Sequence, residues 1–356
     1  MIEVDHYPDV VFLERGVFHQ SVNFEFRCRN TSKQSALLES ISAKGFDEKN
    51  HLLFKLFVDS NAMAPSVEVI PQRNLDPGKT LEIFNPIAEI PQGYPLQRMD
   101  FTLRFISKGP GNLQSQVSIS PIVYEQKTVL DLPFAGICLI TDGHDFLAHH
   151  RRIPLLNPHV GRIGLTANCG RFAYDFTLAD RHGHIFEGDG SKPEHYYGWG
   201  KPVLCPGDGQ IISATHDKPD SEKIPQSSIP LAPEEYERFR TQAFKRLEKL
   251  SMKEILGNHV IVDLGNGEFS LIDHMQQQSV KVDVGDEVTR GTLLGKIGNS
   301  GDSIFPHIHY ELQNGRDIFT SEGLPSKFRK FKLQLGTTEK VVENSCPNTG
   351  MIIESL

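Results

Sequence analysis

The sequence predicts a mostly β protein with an N-terminal β-sandwich and a second, antiparallel β domain. Stretches that alternate apolar and polar residues, such as VNFEFRC, LLFKLFV and MDFTLRFI, recur between residues 10 and 130. After residue 144, tight GDG and GNG turns join short β-branched runs, as antiparallel hairpins do. The length of 356 residues favours about two domains.

The first domain is expected to span residues 1–130. Several short strands at this spacing, with turn signals such as LDPGKT between them, are typical of an immunoglobulin-like sandwich. This part of the sequence contains no catalytic constellation. We therefore expect it to serve as an accessory domain for docking or substrate positioning.

The second half divides into smaller parts. Residues 131–160 read as a linker that begins with a strand, LDLPFAGICLITDG, and continues into a histidine-rich stretch. A compact β domain is expected over 161–325, and a C-terminal extension over 326–356. The polar and Pro-rich segment with an amphipathic helix at about 217–255 predicts a helical insertion on the flank of that domain.

Composition excludes several classes of function. The net charge of −8 argues against a nucleic-acid-binding surface, which needs clustered Lys and Arg. No apolar run approaches the length of a membrane span. The N-terminus, MIEVDHYPDVVFLERG, lacks the pattern of a secretory signal, so we expect an intracellular protein, or a periplasmic or extracellular one whose signal was removed. The five dispersed cysteines are expected to be buried thiols.

Two histidines in the segment PHIHYEL are candidates for chemistry. His307 and His309 are two residues apart, so both project from the same face of a strand. Asp175 lies in the apolar strand GRFAYDF, where a carboxylate is costly unless it is paired or coordinated. His274 ends the apolar strand FSLIDHM. One carboxylate and three imidazoles suffice for a metal ion and a proton-transfer partner.

The motifs VLCPGDGQI, GNHVIVDLGNGEFSLIDHM, VGDEVTRGTLLGKIGNSG and PHIHYEL, in this order, resemble the lysostaphin/LytM-type zinc metallopeptidases. The resemblance covers residues from about 145 to 320. It implies a duplicated hybrid motif, an antiparallel barrel-sandwich fold, and hydrolysis of peptide bonds in peptidoglycan. It also implies a Zn²⁺ ion held by Asp175 and His309, with His274 and His307 as catalytic residues that orient a metal-activated water and move protons.

This sequence departs from the family at the first metal ligand. The usual histidine, four residues before the aspartate, is replaced by Arg171, which stays protonated and cannot bind zinc. The upstream segments AHHRR and NPHVG supply His149, His150 and His159. We expect His150 or His149 to complete the site, and we place His150 in the predicted ligand set. Arg171 and Tyr174 are the candidates for substrate contact.

Two alternatives remain open on the sequence. Loss of the first ligand is also typical of an inactive relative that binds or regulates cell-wall enzymes. The hairpin VGDEVTRGTLLGKIG resembles lipoyl and biotinyl carrier domains as well, but no lysine stands in a D-K or M-K pair between duplicated hairpins. Peptidoglycan or another peptide is the expected substrate, nucleic acid is not an expected partner, and the oligomeric state is left open.

Overall fold

The structure is a computed structural model that describes residues 1–107, 113–222, 224, 238, 242, 245 and 249–356. The chain forms two compact units, Met1–Glu125 (unit 1) and Gln126–Leu356 (unit 2). The prediction of a mostly β protein built from antiparallel sheets is confirmed. The immunoglobulin-like and barrel-sandwich architectures stay predictions.

Unit 1 contains eleven of the described strands, arranged in three sheets. The sheet orders are β1-β4-β8, β2-β3-β9 and β11-β10-β5-β6, and β7 pairs with β5 in the third sheet. The strands are β1 Ile2–Tyr7, β2 Leu13–Arg15, β3 His19–Val22, β4 Glu25–Asn30, β5 Ala36–Phe46, β6 Leu52–Val58, β7 Asn74–Leu75, β8 Thr80–Phe84, β9 Glu89–Pro91, β10 Arg98–Ser107 and β11 Leu113–Ile119.

The core of unit 1 lies between the sheets that contain β4 and β10. Alternate residues of β10 are buried, as the period of two requires. Phe101 from β10 meets Phe24 and Phe26 edge to face, with ring centroids 5.5 Å and 5.1 Å away. Such pairs add to the free energy gained by burial alone. The aromatic cluster therefore packs the two sheets against each other.

Unit 2 is built around a ten-stranded antiparallel sheet with the order β18-β15-β16-β17-β20-β13-β12-β23-β21-β22, and β14 pairs separately with β19. The strands are β12 Ile137–Asp142, β13 Tyr174–Leu178, β14 Pro202–Leu204, β15 Gly209–Ala214, β16 Asn258–Asp263, β17 Phe269–Met275, β18 Glu287–Val288, β19 Leu293–Lys296, β20 Ile308–Gln313, β21 Phe328–Leu335, β22 Thr338–Ser345 and β23 Ile352–Ser355. The described helices are α1 Pro158–Ile163 and α2 Met252–Leu256.

The large sheet extends beyond residues 161–325 on both sides. The segment 131–160, expected as a linker, contributes β12, which pairs with β13 and β23. The expected C-terminal extension, 326–356, contributes β21, β22 and β23. Residues of β12 alternate between half-buried and buried, as a strand within a sheet requires.

The helical insertion expected at about 217–255 falls largely outside the described residues, and α2 lies at its end. In the described part of the chain, no helix is both long and apolar enough to cross a membrane. All five cysteines belong to the described residues and are buried free thiols, as expected: Cys28, Cys138, Cys169, Cys205 and Cys346.

The aromatic cluster of unit 1 gives a stability prediction. Phe101→Ala should lower the free energy of unfolding of unit 1 by about 3–5 kcal/mol, because it leaves a cavity between the sheets. Phe57→Ala is the matched control, since Phe57 is 62% exposed, and it should change this free energy by less than about 0.5 kcal/mol. Urea denaturation of the intact chain, followed by circular dichroism, measures both. Equal effects of the two substitutions would contradict the assignment of the core.

Candidate metal and catalytic site

Three neighbouring strands of unit 2 place three polar residues side by side. His309 of β20 stands opposite Asp175 of β13 on one side and opposite Asp273 of β17 on the other. Side chains directly opposite each other in antiparallel strands share a face. The sheet register therefore brings together residues that lie far apart in the sequence.

His309 is held between two carboxylates. Its Nδ1 is 3.0 Å from Oδ1 of Asp175, and its Nε2 is 2.9 Å from Oε1 of Glu311. Glu311 lies two residues beyond His309 on β20, and so on the same face of the strand. A carboxylate at the second nitrogen fixes the orientation of an imidazole whose first nitrogen binds a metal.

His150 reaches the same carboxylate from a different part of the chain. It begins a 3₁₀ turn, His150–Arg152, that follows β12. Its Nε2 is 3.2 Å from both Oδ1 and Oδ2 of Asp175, and its ring centroid is 4.5 Å from that of His309. The histidine-rich stretch thus folds back over the Asp175 strand.

The two other upstream histidines lie elsewhere. The ring of His149 lies 3.8 Å from that of His150 and is tilted against it by 38°, and its Nδ1 pairs with Asp142 at 3.1 Å. His159 lies on α1, and its backbone N–H donates to Asn157 Oδ1. Among the described residues, one group that could hold a metal ion consists of Asp142, His149, His150 and Asp175, and it includes neither His159 nor His309.

His307 and His274 present the same ring nitrogen to the site. Nδ1 of His307 donates to the backbone carbonyl of Phe305 at 2.7 Å, and Nδ1 of His274 donates to that of Ser300 at 2.9 Å. A carbonyl only accepts, so these bonds fix the proton on Nδ1. Nε2 of His307 is 3.5 Å from Asp175 Oδ1, and the two rings lie 5.0 Å apart. Both Nε2 atoms are therefore available for proton transfer.

An unusual backbone conformation turns His274 into the site. Its φ is +57°, in the left-handed region that non-glycine residues rarely adopt. This conformation brings its Nε2 within 3.5 Å of Asp273 Oδ1, although adjacent residues of a regular strand face opposite ways. Gly298 supports the arrangement, because a Cβ there would lie 2.3 Å from the backbone of Gln276. Only glycine lets the loop that contains Ser300 approach β17 so closely.

Charges in the site shift the pKa values of its members. Burial alone would raise the pKa of Asp175, but the imidazoles of His150 and His307 hold it well below the usual range. Burial would lower the pKa of His309, but Asp273 and Asp175 raise it well above the usual value. Burial and the neighbouring histidines lower the pKa of His274 well below the usual value.

Arg171 and Tyr174, expected to contact substrate, are buried in the structure, which corrects that expectation. Arg171 is 2% exposed, and its Nε donates to Glu322 Oε2 at 3.2 Å. Tyr174 is fully buried and donates its hydroxyl to the carbonyl of Ser326. It precedes Asp175 on β13 and so points to the opposite face of the sheet. Arg171 therefore does not occupy the place of the missing ligand.

The donor set fits a zinc ion. Both ring nitrogens of His309 and of His307 face oxygen atoms. Without a metal, such rings must carry two protons each, which places positive charges in a buried site. A divalent cation held by His150, Asp175 and His309 would remove this need at Nδ1 of His309, the ring nitrogen that faces Asp175. Two imidazoles and a carboxylate form a donor set of catalytic zinc sites.

The comparisons with known proteins point to the same part of the chain. Residues 246–320 match the model of Peptidase family M23. The matched segment contains His274, His307 and His309. Unit 2 therefore contains a segment that is similar to the M23 peptidases. Asp175 and His150 lie upstream of the matched segment, so their place in the site depends on the geometry described above.

A curated relative from Vibrio cholerae serotype O1, described as peptidoglycan DD-endopeptidase ShyC, is 36% identical to this chain over 70 residues. The match covers 19% of this chain and 16% of the relative, so the chain spans only about a sixth of that relative's length.

Two solved structures are also similar. The M23 metalloprotease pseudoalterin, from the deep sea, is 16% identical to this chain, with a TM-score of 0.29. The match covers 62% of this chain and 86% of the pseudoalterin chain. A zinc-containing peptidase from Vibrio cholerae is 12% identical with a TM-score of 0.27 and covers 83% of this chain and 77% of that one. At these TM-scores the likeness carries no argument about the fold.

The sequence analysis did not single out three acidic residues of this site. Glu311 and Asp273 stand beside His309. Asp142 accepts from the backbone N–H of His149 in the loop that contains His149 and His150, here called the histidine loop. Burial raises the pKa of Asp273 to about 7. The spacing of Glu311, two residues after His309, could have indicated it. Asp142 offers no such signal, because its role depends on where the following loop folds.

Zinc binding tests the ligand set. We expect His150→Ala to weaken zinc binding by more than the roughly 10–100-fold that loss of a supporting partner costs, because a ligand is removed outright. Equilibrium dialysis of the intact chain against a competing chelator measures the affinity. His159→Ala is the control and should retain the wild-type affinity. Wild-type affinity in His150→Ala would show that another group completes the site.

Proposed function

We propose that unit 2 is a zinc-dependent endopeptidase that hydrolyses peptide bonds of peptidoglycan with a metal-activated water. The observation that carries the proposal is the meeting of His150, Asp175 and His309 with two further imidazoles, His274 and His307, whose Nε2 atoms face the site.

The comparisons support the class of substrate. The M23 match contains both proposed catalytic histidines. The curated relative is described as a peptidoglycan DD-endopeptidase. Only a small part of that relative is matched, so the proposal takes from it the class of substrate and not the particular bond that is cleaved. A peptidoglycan substrate would require the protein to act in the periplasm or outside the cell.

His150, Asp175 and His309 would hold the zinc ion and leave one coordination position open. When bound, the ion would lower the pKa of a water molecule and polarise the scissile carbonyl. Glu311 would keep His309 oriented, because it accepts from the ring nitrogen on the other side. Asp175, His309 and Glu311 are buried, which strengthens their electrostatic effect on the substrate.

The two remaining histidines differ in the way that acid–base catalysis requires. The lowered pKa of His274 keeps its Nε2 unprotonated at neutral pH, so it can accept a proton from the attacking water. Burial lowers the pKa of His307, but the charge of Asp175 and the hydrogen bonds to Asp175 and to the Phe305 carbonyl together raise it above its usual value. His307 can therefore donate from Nε2 to the leaving amine. Environments that push two pKa values apart assign the roles of base and acid.

Digestion of purified peptidoglycan tests the proposal. The zinc-loaded intact chain should release new peptide termini, detected by chromatography of the digested sacculi. His307→Ala should lower the rate by about 10²–10⁴-fold, the usual contribution of a general acid or base. Zinc content should be unchanged in this variant, because His307 is not in the proposed ligand set.

His184→Ala is the matched control, because the His184 side chain is 70% exposed and pairs with Asp180 rather than with the site. It should digest peptidoglycan at the wild-type rate. Zinc-loaded wild-type protein that binds sacculi without cleaving them would contradict the proposal and favour a binding or regulatory module.

A further inference from the structure

We propose that Asp142 is a positioning residue that presents His150 to the metal site. This inference rests on the zinc site of the proposed function. It adds the residue that holds His150, the side chain that would stand in for the missing strand ligand. Asp142 ends β12 and is 2% exposed.

An irregularity in the sheet brings Asp142 to this place. Ile140 pairs with Phe176 across β12 and β13, but the next pair is Asp142 with Asp175, so that Thr141 is the extra residue. The Thr141 hydroxyl donates to the backbone carbonyl of Asp175 at 3.1 Å. Bulges of this kind are frequent next to active sites, where they redirect a side chain. Here the bulge directs Asp142 towards the start of the histidine loop.

The carboxylate of Asp142 binds the backbone of both loop histidines. The N–H of His149 donates to Oδ1 at 2.8 Å, and the N–H of His150 donates to Oδ2 at 3.2 Å. The ring Nδ1 of His149 is 3.1 Å from Oδ2. Hydrogen bonds from backbone N–H groups to a carboxylate are charge-assisted and strong. Asp142 therefore fixes the position from which the side chain of His150 begins.

Asn168 holds the loop from the other side. Its Nδ2 donates to the backbone carbonyl of His150 at 3.1 Å. With its N–H and its carbonyl both bound, His150 directs its ring at the two oxygens of Asp175. A ligand four residues before Asp175 would be positioned by the chain of Asp175 itself. A ligand 25 residues upstream needs its own anchor, and Asp142 provides it.

A second aspartate of unit 2 makes the same contacts away from the site. Asp180 accepts the N–H groups of His182 and His184 at 2.7 Å and 3.0 Å, and it pairs with the ring of His184 at 2.9 Å. Substitution of Asp180 therefore disturbs an equivalent loop without moving His150. It is a matched control for the local effects of losing such a carboxylate.

The test compares zinc affinity in Asp142→Asn and Asp180→Asn. Asparagine keeps one acceptor oxygen but replaces the other by an NH₂ group, which cannot accept an N–H. We expect Asp142→Asn to weaken zinc binding by about 10–100-fold, as loss of a partner that orients a ligand does. Asp180→Asn should stay within about twofold of wild type. Equilibrium dialysis of the intact chain measures affinity, and the visible absorption of bound Co²⁺ reports the ligand arrangement.

Thermal unfolding of each variant separates positioning from general stability. Weakened zinc binding and an altered Co²⁺ spectrum in a protein that unfolds like wild type would support the inference. Wild-type affinity in Asp142→Asn would overturn it. If this variant does not fold, Asp142→Glu, which keeps the charge but displaces the oxygens, is measured instead, and failure of both variants to fold would also overturn a positioning role. Wild-type zinc affinity in His150→Ala would refute the ligand set itself, which is a separate result.

Discussion

The site depends on the buried carboxylate of Asp175. A carboxylate removed from water is costly unless positive charge or hydrogen-bond donors surround it. Three imidazole nitrogens approach its oxygens, from His309 at 3.0 Å, His150 at 3.2 Å and His307 at 3.5 Å. This requirement explains why the histidine loop folds back over β13 and why the pKa of Asp175 is held low.

The sheet of unit 2 supplies most of the positions that surround this carboxylate. Strands β13, β20 and β17 place Asp175, His309 and Asp273 in one row. Regular strand pairing does not point every side chain of the site at Asp175, and two irregularities of the backbone orient the remaining side chains. The bulge between Ile140 and Asp142 aims an acid at the histidine loop, and the left-handed backbone of His274 turns its ring inward. Strained conformations of this kind concentrate at functional sites.

Arg171 stands at the sequence position of a usual ligand, and in the structure another side chain, His150, reaches Asp175 in its place. The guanidinium is buried and pairs with Glu322, so it neither fills the place of a ligand nor faces a substrate. His150 stands at Asp175 instead, on a turn that Asp142 and Asn168 hold in place. A divergent residue at the position of the first ligand is therefore compatible with a donor set of two imidazoles and a carboxylate.

The sequence by itself determined the mostly β fold and the same-face pairing of His307 with His309. A strand repeats every two residues, so this period can be seen in residues that are neighbours in the sequence. It also indicated that Asp175 needs partners, since an acid within an apolar strand cannot stay alone. Only the tertiary structure decided which partners those are. The choice of His150 over His149 and His159, the pairing of Arg171 with Glu322, the burial of Tyr174 and the roles of Asp142 and Asp273 depend on strand register and on one loop, which bring together groups distant in sequence.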